Sequence, residues 1–481
     1  MSICSSTPML SQLPSQGPRI GRRIHGLLLG AFLLPAAGRA QGADFTLRVA
    51  LDRAEKAAVV NRTARAARDE SAAGRLGAWR AILPTIRVDA GVLRTTDPVG
   101  AFGTTLRQQR ITASDFDPAR LNFPEPINNF TGALVLEQPL IMLDGWLAAR
   151  SSARLVDGAS HAADWAAVST QAEVISAWYG AILAAERATS MTAAVRAAQA
   201  HARQADEMLE AGLVTRSDVL LASARAGELE AGRLDAVRDS VLARRHLSVL
   251  IGENVAAPAE IGTGFPPDNT VEAMAREVFA LEPRDRADVD GARSAAAAAT
   301  ANVARARATL VPRVVSFARR DLNSAARPFG GSSSWSVGVM ASWSPFSGAS
   351  ELADGKAADA RSAAATAQLE GAVAAANVDL ERTAMTLRAT LTQLALARTS
   401  LAHGEEAHRI VTRKYEGGLA TVAELLDAAA AETRSRLVLS AARHAVLAAI
   451  ADRLRAGGHE PRRMAALGES AREADATTTR R

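Results

Sequence analysis

Apolar positions along the chain follow two periods, and the change from one to the other occurs twice. From Thr85 to Val92 apolar and polar residues alternate, with Ile86, Val88, Ala90 and Val92 on one face and Arg87 and Asp89 on the other, which is the period of a β-strand. Phe130 to Gln138, closed by Pro139, reads as a second strand, and Arg313 to Arg319 as a third. The fourth, Trp335 to Ser344, is the clearest: Val337, Val339, Ala341 and Trp343 face one way, and Ser336, Gly338, Ser342 and Ser344 the other. Around these strands residues 44–82, 146–211, 217–251, 286–310, 350–416 and 421–456 read as helices, stopped by Pro84 and Pro312 where helix gives way to strand. At 1.5 Å per residue, 146–211 and 350–416 would each extend about 100 Å. Residues 94–129, rich in Thr, Pro, Asn and Asp, predict a long loop.

One stretch occurs twice. Ala211-Gly212-Leu213-Val214-Thr215-Arg216-Ser217-Asp218 returns as Gly417-Gly418-Leu419-Ala420-Thr421-Val422-Ala423-Glu424, a shift of 206 positions that also carries Pro139 onto Pro345. Each copy predicts a helix ending at glycine, a short turn, a Thr cap and a new helix with an acid in its first turn. The chain therefore divides into a first repeat over 41–252, a linker over 253–285 that includes a short helix around Val271 to Phe279, and a second repeat over 286–458. Residues 459–481 are polar and predict a disordered tail.

Composition supports long helices. Apolar residues make up 48% of the chain but aromatic residues only 4%, the difference being largely alanine, so an aromatic-centred globular core is not expected. Arg19, Arg22 and Arg23 precede the apolar run Leu27 to Leu34, and Gly38-Arg39-Ala40 follows: the parts of a secretory signal peptide over residues 1–40, with cleavage after Ala40. Its removal takes away four arginines and no acid, lowering the formal charge from +5 to +1, so no nucleic-acid partner is implied. Cys4, upstream of that run, is the only cysteine; a mature chain has no disulfide, no thiolate nucleophile and no cysteine at the cleavage point to carry a lipid.

Four strands cannot close a barrel, and lipid does not tolerate an open sheet edge, so several copies must share one. Three copies would supply twelve strands, an even number in the range of outer-membrane barrels. Trp335 and Trp343 share a face eight residues apart, about 26 Å along a strand, which fits an apolar band roughly 25 Å tall with an aromatic residue at each rim. Leu83-Pro84, Gln138-Pro139-Leu140 with Gly145, Gly212-Leu213-Val214 with Asp218-Val219-Leu220, Trp343 to Gly348, and Tyr415-Glu416-Gly417-Gly418 with Glu424-Leu425-Leu426-Asp427-Ala428 together resemble the TolC-like outer-membrane efflux protein family. The resemblance implies a mainly α chain with a membrane β-barrel portion. It also implies a homotrimer with four strands per protomer, a 12-stranded barrel in the outer membrane of a Gram-negative bacterium, and a periplasmic α-helical tunnel. Its partners would be outer-membrane lipid, a periplasmic membrane-fusion adaptor and an inner-membrane transporter of the ABC or RND type.

Glu424 and Asp427 are three apart near a helix start and share a face. They either complement the helix dipole or, converging in threefold symmetry, form a negative ring at the periplasmic aperture, the role held by the family's acids at these positions. Asp218 in the first tip divides evenly between a capping acid and a gate. Gly212 and Gly418 read as left-handed turn residues; with Leu213, Thr215, Arg216, Leu419 and Thr421 they mark the tips at which adaptors of this family dock. Where the family places an arginine after the second tip glycine this chain has Ala420, which leaves Arg216 as the nearest candidate for a link that locks the tip.

No metal, cofactor or catalytic motif is present: there is no HExxH, no GxSxG, and Gly348 to Lys356 has the wrong spacing for a phosphate loop. His403 and His408, five apart, read as solvated. The sequence thus predicts a non-enzymatic export duct, leaning towards type I protein or toxin secretion, with multidrug or metal efflux as the alternative and a periplasmic coiled-coil adaptor as a more distant one.

Overall fold

The computed structural model describes residues 45–252 and 264–466. The signal peptide expected over 1–40 with its cleavage point, part of the linker at 253–263 and the tail from 467 onward lie outside these residues. Ten α-helices and four β-strands run in the order α1 (Leu47–Ala57), α2 (Val59–Ala78), β1 (Thr85–Thr95), α3 (Pro98–Arg107), α4 (Pro118–Asn122), β2 (Ile127–Ile141), α5 (Leu143–Glu210), α6 (Arg216–Leu250), α7 (Asp268–Ala280), α8 (Ala287–Ala308), β3 (Arg313–Ser324), β4 (Ser332–Ser342), α9 (Ser350–Glu416) and α10 (Val422–Ala456). The 68 residues of α5 and the 67 of α9 make each about 100 Å long by helical rise. No helix among the described residues is long and apolar enough to cross a membrane.

The strands form one antiparallel sheet in the order β1-β2-β3-β4. Register sorts its faces. Ile86 pairs with Leu136, Leu136 with Ala318 and Ala318 with Val337; Val88 pairs with Leu134, Leu134 with Arg320 and Arg320 with Trp335. Directly paired residues share a face, so this one carries Ile86, Val88, Leu134, Leu136, Val337 and Val339, all exposed in the single chain. Arg320 stands on it beside Trp335, its aliphatic stem able to lie along the apolar surface. The opposite face carries Arg87, Asp89, Asn129, Glu137, Arg319 and Asp321. Trp343 falls one residue past β4, and its indole N–H donates to the Leu310 carbonyl at 3.0 Å.

Several elements differ from the sequence reading. The helix expected over 44–82 breaks at Ala58, whose φ of −54° and ψ of 132° leave the helical region. Asn61, 3% exposed, explains how the break is tolerated: its amide donates to the Ala54 and Glu55 carbonyls while its oxygen accepts from Thr170 on α5. The strand expected to stop at Pro139 continues to Ile141, and a register shift after Pro139 absorbs the missing N–H. β1, β2 and β3 run several residues further at the loop end than alternation indicates, because backbone pairing continues out to Thr95 opposite Ile127 and to Ser324 opposite Phe130. The long loop expected over 94–129 contains α3, opened by Asp97 as its N-cap with Pro98 in the first turn, and α4, opened the same way by Asp117 and Pro118.

The tail also begins differently from expectation. Residues 459–466 are ordered against the core: Met464 is 1% exposed, Arg462 pairs with Glu55 and Asp52, its backbone N–H donates to Gln171, and His459 Nε2 lies 2.9 Å from the Glu282 carbonyl. The principal core, around Leu51, Ile175, Leu247, Leu394, Ile450 and Met464, joins the first helix, the middles of α5 and α9 and the ends of α6 and α10. α7, slightly longer than the helix expected around Val271 to Phe279, is fastened there by Asp268 to both Arg398 and Arg443.

Candidate functional site

Two helical hairpins, α5–α6 and α9–α10, end in tips of the same construction. Gly212 and Gly418 have φ of 72° and 70°, and nothing lies within 4 Å of where a Cβ would stand, so the left-handed turn alone requires glycine at both. Leu213 N–H donates to the Met208 carbonyl at 2.8 Å and Leu419 N–H to that of Lys414 at 2.7 Å, closing the last turn of each outgoing helix. Thr215 and Thr421 then cap the return helices. The Asp218 carboxylate accepts from Thr215 N–H at 2.9 Å and the Glu424 carboxylate from Thr421 N–H at 2.7 Å, two reciprocal capping boxes. Those bonds, backbone first for both, hold each carboxyl below its ordinary range.

The capping geometry separates residues that the sequence grouped. Glu424 and Asp218 are both engaged by their own caps, whereas Asp427, one turn further along α10, is exposed and outside the cap. Arg216 is exposed at the first position of α6 and makes no ion pair among the described residues, so within one chain it locks nothing. Leu213 and Leu419, 70% and 81% exposed, project from the two turns.

Behind the turns lies a second apolar cluster of Ala205, Val219, Ala222, Tyr415, Val422, Leu425 and Leu426, drawn from all four helices. Tyr415 joins the hairpins: its hydroxyl lies 3.1 Å from Met208 Sδ, and burial together with the Asp218 charge pushes its pKa up. Tyr415 entered the sequence reading only as part of the family motif, without a role, and Met208 not at all. The available signal was rarity, since Tyr415 is one of only two tyrosines in a helix-rich chain.

Further from the tips a cavity of about 350 Å³ opens between the hairpins, lined by His201, Arg225, His408, Glu432 and Arg436 among small residues. His408, expected to be solvated, instead bonds through Nδ1 to Glu432 across α9 and α10, while His403 is exposed as expected. Burial, followed by the neighbouring His408, lowers the His201 pKa.

At the sheet, α3 folds back over the charged face. Gln108, at its end, donates to the Asn128 carbonyl at 2.9 Å and to Asn129 Oδ1 at 3.0 Å; Asn129 in turn donates to Asn323 Oδ1. Ser332 at the start of β4 donates to the Gln108 carbonyl at 2.8 Å. These buried amides tie the loop to β2, β3 and β4, a connection that no sequence period indicates.

With an amphipathic sheet, two helices of about 100 Å and paired tips established, comparison with known proteins is decisive for the fold. Residues 284–456 match the outer membrane efflux protein family. Likeness to solved structures with the TolC-like fold extends over 86–87% of the chain. The outer membrane channel CmeC of Campylobacter jejuni superposes with a TM-score of 0.72 at 16% identity, covering 87% of each chain. The outer membrane protein VceC of Vibrio cholerae gives 0.69 at 17% identity, over 86% of this chain and 96% of its own. The open state of the outer membrane channel MtrE of Neisseria gonorrhoeae gives 0.68 at 18%, over 86% and 89%. No curated protein matches the chain in sequence. TolC-like architecture accounts for the doubled hairpins: β1 and β2 precede α5–α6, β3 and β4 precede α9–α10, and the four strands share one sheet.

Proposed function

We propose that three copies of this chain form an exit duct in the outer membrane of a Gram-negative bacterium. Twelve strands would close one barrel, and the helical hairpins would continue it as a tunnel through the periplasm. The observation that carries this reading is the sheet. β1 and β4 each have one partner and one free edge, and one face is apolar and exposed in the isolated chain. Edges and apolar face are together satisfied if β1 of one copy pairs with β4 of the next within lipid. Trp335 and Trp343, 79% and 62% exposed, then take the positions of an aromatic girdle.

The duct carries out no catalysis. It passes cargo delivered by an inner-membrane transporter through a periplasmic adaptor, which would dock at Gly212, Leu213, Thr215, Arg216, Gly418, Leu419 and Thr421. The periplasmic aperture is drawn at the tips, with Asp427 as its exposed acid, Glu424 holding the turn that presents it and Asp218 holding the turn of the first tip. Heat-modifiable trimer bands in outer-membrane extracts are the expected result; finding the chain only in the soluble periplasm would defeat the duct and favour an adaptor.

For cargo, the match of residues 284–456 to a family described by efflux supports efflux as the first reading, with drugs or metals as its cargo. Type I secretion of an unfolded polypeptide is a second reading, favoured by the lack of any cysteine after Cys4 that could take a lipid. A deletion strain separates them: gain of drug or metal sensitivity supports efflux, and loss of one secreted protein supports secretion.

A further inference from the structure

The register that gathers apolar residues on one face of the sheet also orders the charges on the other. Arg87 on β1 pairs with Val135 on β2, which pairs with Arg319 on β3; Asp89 pairs with Ala133, which pairs with Asp321. The same Arg-x-Asp sequence therefore stands twice at the same two levels, with one strand between. At those levels β4 carries Ser336 and Ser334, short side chains that leave room for the longer charged ones.

Each arginine is bonded to the aspartate two residues along its own strand. Arg87 Nε donates to Asp89 at 3.1 Å, and Arg319 Nε reaches both Asp321 oxygens at 2.9 Å. The Arg87 and Asp89 side chains are 62% and 53% exposed, and ion pairs in that setting contribute little to stability. Folding of the sheet is thus not what requires Arg87 and Asp89 on this face. α3 brings Arg107 close enough to act on Asp321, and Glu137 lies further along the same face. Three positive and three negative groups result at these levels, and Arg313, further along the same face, is neutralised by Asp144.

We infer that these six residues form a mixed-charge belt inside the barrel, a specificity-determining site suited to cargo bearing both signs of charge, such as peptides and zwitterions. The inference rests on the duct reading, in which the opposite face meets lipid. Threefold repetition makes the belt balanced, so the barrel itself holds little preference between small cations and anions. Removing one sign leaves the other uncompensated on a low-dielectric wall, where it concentrates counterions.

The test is the reversal potential of the purified protein in planar lipid bilayers under a KCl gradient, in an E424Q/D427N background that removes both acids of the second tip. D89N/D321N should shift the permeability ratio several-fold towards anions, R87Q/R319Q several-fold towards cations, and the fourfold variant should return to the starting ratio. Channels whose ratio does not move in either double variant would overturn the belt alone. A background protein that forms no channel would sink the duct reading and the belt with it. Should the double variants fail to assemble, a charged, membrane-impermeant thiol reagent on S334C should move the ratio, and the same reagent on V337C of the opposite face should not; equal responses would overturn the assignment of faces.

Discussion

Tyr415 of α9 and Met208 of α5 meet at 3.1 Å between hydroxyl and sulfur, inside the apolar cluster that holds the two hairpin tips together. The ring contributes mainly by burial and the hydroxyl only by a weak bond to sulfur. Y415A should therefore loosen the tips by about 3–5 kcal/mol, as other buried aromatic truncations do, and raise single-channel conductance and sensitivity to large antibiotics. Y415F should stay within about 1 kcal/mol of the parent protein. Equal effects of the two substitutions would show that the hydroxyl, not the packing, closes the tip.

The two acids of the second tip should separate in function. Glu424 is occupied by Thr421 N–H and Oγ1, at 2.7 and 3.0 Å, whereas Asp427 is exposed outside the cap. D427N should reduce cation preference in bilayer recordings while leaving the tip folded. E424Q should chiefly increase amide exchange in the first turn of α10. A larger selectivity change from E424Q than from D427N would reverse this assignment.

The same caps imply a pH dependence of definite sign. Hydrogen bonds from Thr215 and Thr421 lower the carboxyl pKa of Asp218 and Glu424 from ordinary values of 3.8 and 4.5. A depressed carboxyl contributes stability that is complete above its unfolded value and is lost as pH falls through the folded one. Exchange of the first-turn amides of α6 and α10 should stay slow at neutral pH and accelerate only below those ordinary values. In T215A/T421A it should be faster throughout, with a smaller acid step.

Glycines with the same backbone conformation should differ in cost. Gly212 needs only its positive φ, so G212A should cost about 1–2 kcal/mol, confined to the tip. Gly252 has the same φ of 72°, and a Cβ there would stand 2.3 Å from the Ala57 side chain. G252A adds overpacking to the backbone strain and should cost roughly 3 kcal/mol or more, lowering the melting temperature of the detergent-purified protein well below that of G212A. Equal melting temperatures would mean that α1 yields without cost.

Much of this was legible along the chain because the features are local and repeated. Strand alternation, proline stops, the two glycine turns and their Thr-x-x-acid caps depend on residues within a few positions of one another, and the 206-residue shift shows each twice. Features decided at long range were not legible. The break at Ala58 depends on Asn61 reaching Thr170, the loop helix α3 on Gln108 reaching Asn129, the order of residues 459–466 on Met464 entering a core made by distant helices, and the tip contact on Met208 finding Tyr415. The sequence by itself determined the periods, the turns and the recurrence at a shift of 206 positions, since these follow from backbone geometry and the spacing of side chains. Tertiary structure alone decided that the charges of β1 and β3 meet on one face at the same levels and which acid is left outside the cap, because pairing register and hydrogen-bond competition exist only once the strands and caps have formed.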